Sequence, residues 1–193
     1  MAWWTLAMVA YPETQALAQE ELDRVVGRGH LPTFKDYPNL PYIRAMVKEV
    51  LRWRPAGPLG APHRSTKDDW YGGMFIPKGT TCIANMWHMN RDPEIYGENP
   101  EDFDPGRHLN ANGYLGSDLS DMNVMEHGHY TYGFGRRSCV GRYMADNSLF
   151  IDIAVMLWAI KFERKKDATG RLLPLDLDGW VNVGLIALVD FIT

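Results

Sequence analysis

The segment that decides the reading of this chain is Tyr132-Gly133-Phe134-Gly135-Arg136-Arg137-Ser138-Cys139-Val140-Gly141. Gly133 and Gly135 permit a tight turn and let the backbone approach a flat ligand closely. Arg137 sets a fixed positive charge two residues before Cys139. Beyond the cysteine the chain turns apolar, and a long helix is expected over residues 140–160, with Cys139 at its start. A helix N-terminus favours the thiolate over the thiol. A thiolate in apolar surroundings is a soft metal ligand or a nucleophile. For an arbitrary segment of this spacing, a buried inert cysteine behind a glycine turn is the commoner outcome. A nucleophile would want a histidine base, and His127 and His129 are close only in sequence. A zinc site would want further cysteines, which the chain lacks.

Composition narrows the classes. The chain has 193 residues, with 24 acidic and 20 basic side chains, a net charge of −4. That balance carries no electrostatic footprint for nucleic acid. Apolar residues at 46% and charged residues at 23% are ordinary for a globular protein. The length suits one domain, or part of a larger one. No apolar run reaches the roughly 18 residues of a transmembrane helix; the longest, over 149–160, carries Asp152. Two cysteines make no disulfide framework, and the content of 7 Trp, 9 Tyr and 7 Phe argues against disorder. Residues 1–10, MAWWTLAMVA, lack the basic region and cleavage site of a signal peptide. They read as the last turns of a buried helix that starts upstream.

Periodicity places the elements. Pro12 and Glu13 open a helix with an apolar stripe of Ala18, Leu22, Val25 and Val26, capped at Gly27. Residues 28–41 are loop-like. A second helix spans about 40–54, with a stripe of Ile43, Met46, Val47, Val50 and Leu51, and Pro55 ends it. Residues 55–62 are too rich in Pro and Gly to be regular. Short strands follow over 63–86, around turns at Tyr71-Gly72-Gly73 and Pro77-Lys78-Gly79. Residues 90–138 have little periodicity, and so long an irregular stretch is usually functional. An apolar, β-rich segment closes the chain over 180–192. The class is mainly α with small β pieces, a single partial domain over 1–193.

The decapeptide resembles the haem-binding loop of the cytochromes P450, Phe-Gly-x-Gly-x-Arg-x-Cys-x-Gly. Gly133, Gly135, Arg137, Cys139 and Gly141 match, and Tyr132 stands where Phe is usual, adding a hydroxyl. Glu49-Val50-Leu51-Arg52 resembles the family's Glu-x-x-Arg motif. Phe103-Asp104-Pro105-Gly106-Arg107-His108 is similar to its Pro-Glu-Arg-Phe region. By this resemblance Glu49, Arg52 and Arg107 form a structural lock that pins the irregular segment to the helix. On spacing alone Glu49 and Arg52 would read as a solvated ion pair. Pro12-Glu13-Thr14-Gln15, Phe75-Ile76-Pro77-Lys78-Gly79-Thr80 and Asn90-Arg91-Asp92-Pro93 also resemble family segments.

The resemblance implies the C-terminal portion of the P450 fold: helices J and K, the meander, the haem-binding loop and helix L. It implies haem b as cofactor, with Cys139 as the iron ligand. Tyr132, Gly133, Gly135 and Gly141 shape the loop. His63, with Arg64 as the near alternative, and Arg137 take the haem propionates. Leu59 and Ala61 offer apolar contacts to substrate. The implied activity is a haem-thiolate monooxygenase acting on an apolar organic substrate. A partner reductase would supply electrons near Arg136 and Arg142. The alternative is a non-catalytic haem-binding fragment, because the family's acidic residue and Thr of the distal helix would precede Trp3-Trp4-Thr5-Leu6. The endoplasmic reticulum membrane is implied by the family alone, through an anchor not found in this chain. Asp178-Gly179-Trp180 fits the family's end, whereas residues 184–188 lack its prolines. The remaining candidates read blandly: His127 and His129 as loop residues, Cys82 as a small buried residue, Asp152 as polar-edge, and the ten methionines as core fillers.

Overall fold

Helix α3, Pro41–Trp53, is the centre of the fold. The computed structural model describes residues 1–116 and 127–177, together with the backbone of 180–181 and 187–188. Pro41 occupies the first helical turn, where its missing N–H costs nothing. The orphan N–H groups of Tyr42 and Ile43 donate to the Glu21 carboxylate, each at 3.0 Å. Glu21 belongs to helix α2, Pro12–Val25, so one helix caps the next. Helix α1, Ala2–Ala10, precedes α2 and buries Trp4, Leu6, Ala7 and Met8. Gly27 ends α2 in the left-handed region, φ 69°, with its N–H bonded to Leu22 O at 3.1 Å.

The core is built where α1, α2 and α3 meet a last long helix. It holds Trp4, Leu22, Ile43, Met46, Trp53, Phe150, Ile153 and Leu157. The predicted stripe of α3 is buried, except that Leu51 is only half-buried. The last long helix runs Arg142–Ala159, not from residue 140. Gly141 is its N-cap, so Cys139 stands in the loop three residues before the helix. Two glycines and a Ser-Cys pair make the turn, and the ladder starts only when they are passed.

Between α3 and that helix lie small elements. Strands β1 (His63–Arg64) and β4 (Thr81–Cys82) pair antiparallel, His63 opposite Cys82. Strands β2 (Asp69–Tyr71) and β3 (Met74–Ile76) form a hairpin closed by Gly72 and Gly73, both at positive φ. Helices α4 (Met86–Met89) and α5 (Pro93–Tyr96) follow, and then 3-10 turns at Pro105–His108 and Gly135–Arg137. The last long helix is therefore α6. Strands β5 (Trp180–Val181) and β6 (Ala187–Leu188) pair antiparallel. Of the closing segment predicted over 180–192, residues 182–186 and 189–192 lie outside the described residues, as do 178–179 and 193.

Candidate functional site

One carboxylate organises the irregular stretch. Glu49 and Arg52 are both 0% exposed. Arg52 grips Glu49 with two bonds, Nε to Oε2 at 2.8 Å and Nη2 to Oε1 at 2.7 Å. Arg107 Nε donates to Glu49 Oε1 at 3.0 Å, as does the Asp104 N–H at 2.9 Å. His108 Nε2 completes the set at 2.8 Å from Oε2. The two arginines also bond carbonyls of the irregular segment: Arg52 those of Asn90, Pro100 and Asp102, and Arg107 that of Tyr96. Burial pushes the Glu49 carboxyl up, but the charge and bonds of Arg52, with His108, overcome it and bring it down to about 2. Burial lowers His108, so its ring is neutral and Nε2–H donates to an anion. Its buried Nδ1 meets no hydrogen-bond partner among the described residues. The solvated ion pair suggested by spacing alone is thus a buried network.

Further bonds carry this rigidity towards the cysteine. Asn90 is fully buried. Its Oδ1 accepts from Tyr130 N–H at 2.8 Å, and its Nδ2 donates to Thr131 Oγ1 at 3.0 Å. Thr131 Oγ1 donates to Leu51 O at 2.6 Å, one of the last carbonyls of α3. Arg91 donates to Trp53 O and to Glu101. Tyr132 O then accepts the Cys139 N–H at 2.8 Å. Gly133 and Gly135 sit at φ 68° and 65°, which only glycine adopts without cost.

The loop forms one wall of a cleft of about 790 Å³. Cys139, Arg137, Tyr132, Gly133 and Phe134 line it on this side. His63 and Cys82 from the β1–β4 pair, with Leu51, Leu59, Ala61 and Met86, line the rest. Cys139 and Cys82 are both free thiols and exposed. Cys82 is therefore a cleft residue, not a buried core residue, because its two-residue strand lies at the surface. A Cβ at Gly133 or Gly135 would meet no protein atom within 4 Å, and one at Gly141 would stand 3.8 Å from Cys139 Sγ.

The donor set has a definite chemistry. Among the described residues no group of three metal-ligating side chains exists. A metal at Cys139 would have fewer than three protein ligands and would bring the rest with it. His63 and Arg137 line the same cleft and could offer hydrogen bonds to acidic arms of such a group. An iron macrocycle with carboxylate arms fits this set. Arg64 does not line the cleft; its guanidinium lies against Gly79. Arg136 is exposed, whereas Arg142 is half-buried and donates to Cys139 O at 3.2 Å. His129 is buried with its ring 4.9 Å from Tyr132, and His127 packs at 5.7 Å. Both act as packing residues around the loop.

Residues 1–174 match the family model described as Cytochrome P450. The chain belongs to the cytochrome P450 family. Two cytochrome P450 monooxygenases of Armillaria gallica are 62% and 55% identical over 186 residues, 96% of this chain. Cytochrome P450 monooxygenase 58 of Postia placenta is 51% identical over 94% of it. The chain covers only 34–36% of these relatives. It is a part of the P450 fold, mainly helical with small sheets. No helix among the described residues is long and apolar enough to cross a membrane.

Sequence reasoning missed His108, Asn90 and Asp146. His108 had a signal, standing beside Arg107 in the matched motif. Asn90 lay in a segment that resembled the family but had no assigned role. Asp104 and Gly106, left without roles, prove coupled: the Asp104 carboxylate accepts from Gly106 N–H at 2.8 Å, and a Cβ at Gly106 would stand 2.9 Å from that oxygen.

Proposed function

We propose that this chain forms the thiol-bearing part of a haem monooxygenase acting on an apolar organic substrate. The observation that carries the reading is the Cys139 thiol, on a loop turned by Gly133 and Gly135, sharing an apolar cleft with Arg137 and His63. Bound haem would supply the oxygen chemistry, placing one atom of O2 in the substrate and the other in water, with electrons from a reductase. Cys139 would hold the iron as thiolate, a strong electron donor to it. Arg137 and His63 would bind the propionates, and Gly133, Gly135 and Gly141 would keep the loop free of side chains at the ring. Leu51, Leu59, Ala61 and Met86 would exclude water and contact the substrate. Glu49, Arg52 and Arg107 would act at a distance, by holding the backbone that holds Cys139. Exposed Arg136 would meet an acidic surface of the reductase.

The test is the absorption spectrum of the chain loaded with haem, reduced and exposed to carbon monoxide. A strongly red-shifted Soret band, lost in Cys139→Ala, is expected. A band typical of histidine ligation, unchanged by Cys139→Ala, would overturn the assignment. The alternative is haem binding without turnover. The red-shifted band without product formation would single it out.

A further inference from the structure

Tyr132 occupies the one position of the loop where the family resemblance would place phenylalanine. Its side chain is 8% exposed, yet its hydroxyl is bonded: it donates to Asp146 Oδ1 at 2.6 Å. Asp146 lies in α6, beyond the cysteine. The Tyr132 carbonyl accepts the Cys139 N–H at 2.8 Å and the Ser138 hydroxyl at 3.4 Å. Cys139 therefore sits inside a loop closed twice through residue 132, once by backbone and once by side chain. On the helix side, Cys139 O accepts from the Arg142 N–H at 3.4 Å and the Arg142 guanidinium at 3.2 Å. The rings of His127 and His129 pack edgewise on the phenol and keep it in place. A phenylalanine would keep that packing and lose the bond.

We propose that Tyr132 is a positioning residue whose hydroxyl, through Asp146, clamps the cysteine loop to helix α6 and sets it for the haem. The clamp works on geometry. The loop's other hydrogen bonds to the start of the helix, among the described residues, are those between Cys139 O and Arg142. The haem part of this inference rests on the function proposed above; the clamp itself is a property of the loop.

Amide hydrogen exchange in the haem-free chain tests the clamp. The reporter is the Cys139 N–H, and the reference is the Arg54 N–H, bonded to Val50 O at 3.1 Å. Tyr132→Phe is expected to speed Cys139 exchange about tenfold relative to Arg54, the loss of one hydrogen bond to a charged group. Asp146→Ala should match it, and the double variant should go no further. Asp146→Asn, whose amide oxygen still accepts, should stay within about twofold of the parent. In the loaded chain, haem release to a scavenging apoprotein should follow the same order. An unchanged exchange ratio in Tyr132→Phe, or additive effects of the two sites, would overturn the clamp. If Tyr132→Phe fails to fold, the contrast between Asp146→Asn and Asp146→Ala decides in its place. A parent chain that takes up no haem overturns the proposed function, and the exchange ratios still decide the clamp.

Discussion

The lock around Glu49 and the loop around Cys139 are built on opposite terms. Glu49 is sealed from water and accepts five hydrogen bonds, from Arg52 twice and from Arg107, His108 and Asp104. Cys139, Arg137 and His63 are exposed in an open cleft, and no side-chain hydrogen bond to another residue is recorded for them among the described residues. A buried charge must be fully satisfied, so it specifies one geometry. Groups that are to bind a ligand must keep their bonding capacity free. The difference teaches that precision at the cysteine comes from behind it, through Asn90, Thr131 and Tyr132, and not from contacts of the thiol itself.

The largest break in that contrast is Glu49→Ala. It leaves Arg52 and Arg107 as buried cations without their anion and should cost about 3–5 kcal/mol, read as a lower urea midpoint at unchanged slope. Glu49→Gln keeps an acceptor but not the charge and should fall between that variant and the parent. An unchanged midpoint in Glu49→Ala would remove the lock from the account.

Acid should sharpen the contrast in two stages. His108 and His129 are held neutral by burial, His129 further lowered by His108, Lys48 and His127. Their folded values lie below the ordinary 6.5, so the unfolded chain binds more protons in this range and stability falls as pH drops below 6.5. Glu49 has the same sign by a different route. Its folded value of about 2 lies below the ordinary 4.5, and its contribution is lost as pH falls from 4.5 towards 2. Unfolding midpoints taken across these ranges check both stages. His108→Phe should weaken the first and, because it removes a donor that helps hold the Glu49 carboxyl down, shrink the second as well.

The smallest effect on stability belongs to the cleft. Arg137→Ala should change the folding free energy by less than about 0.5 kcal/mol, as exposed side chains do. It should nevertheless weaken haem retention, measured by transfer to a scavenger. A large loss of stability would mean that Arg137 supports the fold and not the ligand.

Local chemistry was legible in the sequence. The stripes of α2 and α3, Pro12 at a helix start, the Gly72–Gly73 turn and the spacing within residues 132–141 are short-range patterns, and each governs its own neighbourhood. The start of α6 was read two residues early, because apolar residues continue through the turn while its hydrogen-bond ladder does not. Burial was not legible. Glu49 and Arg52 at i, i+3 look the same on a wet helix face and on a sealed one. Only residues some fifty positions away, folded over α3, decide which it is. Asn90 reaches Tyr130 and Thr131 across 40 and 41 positions, and nothing local marks such a partner.

By itself, then, the sequence determined which backbone segments coil or turn and where the thiol, the arginine and the glycines stand relative to one another. Those follow from local sterics and spacing. The tertiary structure alone decided which charges lose water, that His108 and His129 both stay neutral, and that Cys82 and His63 share a cleft with Cys139. Those outcomes depend on desolvation and on contacts between distant parts of the chain.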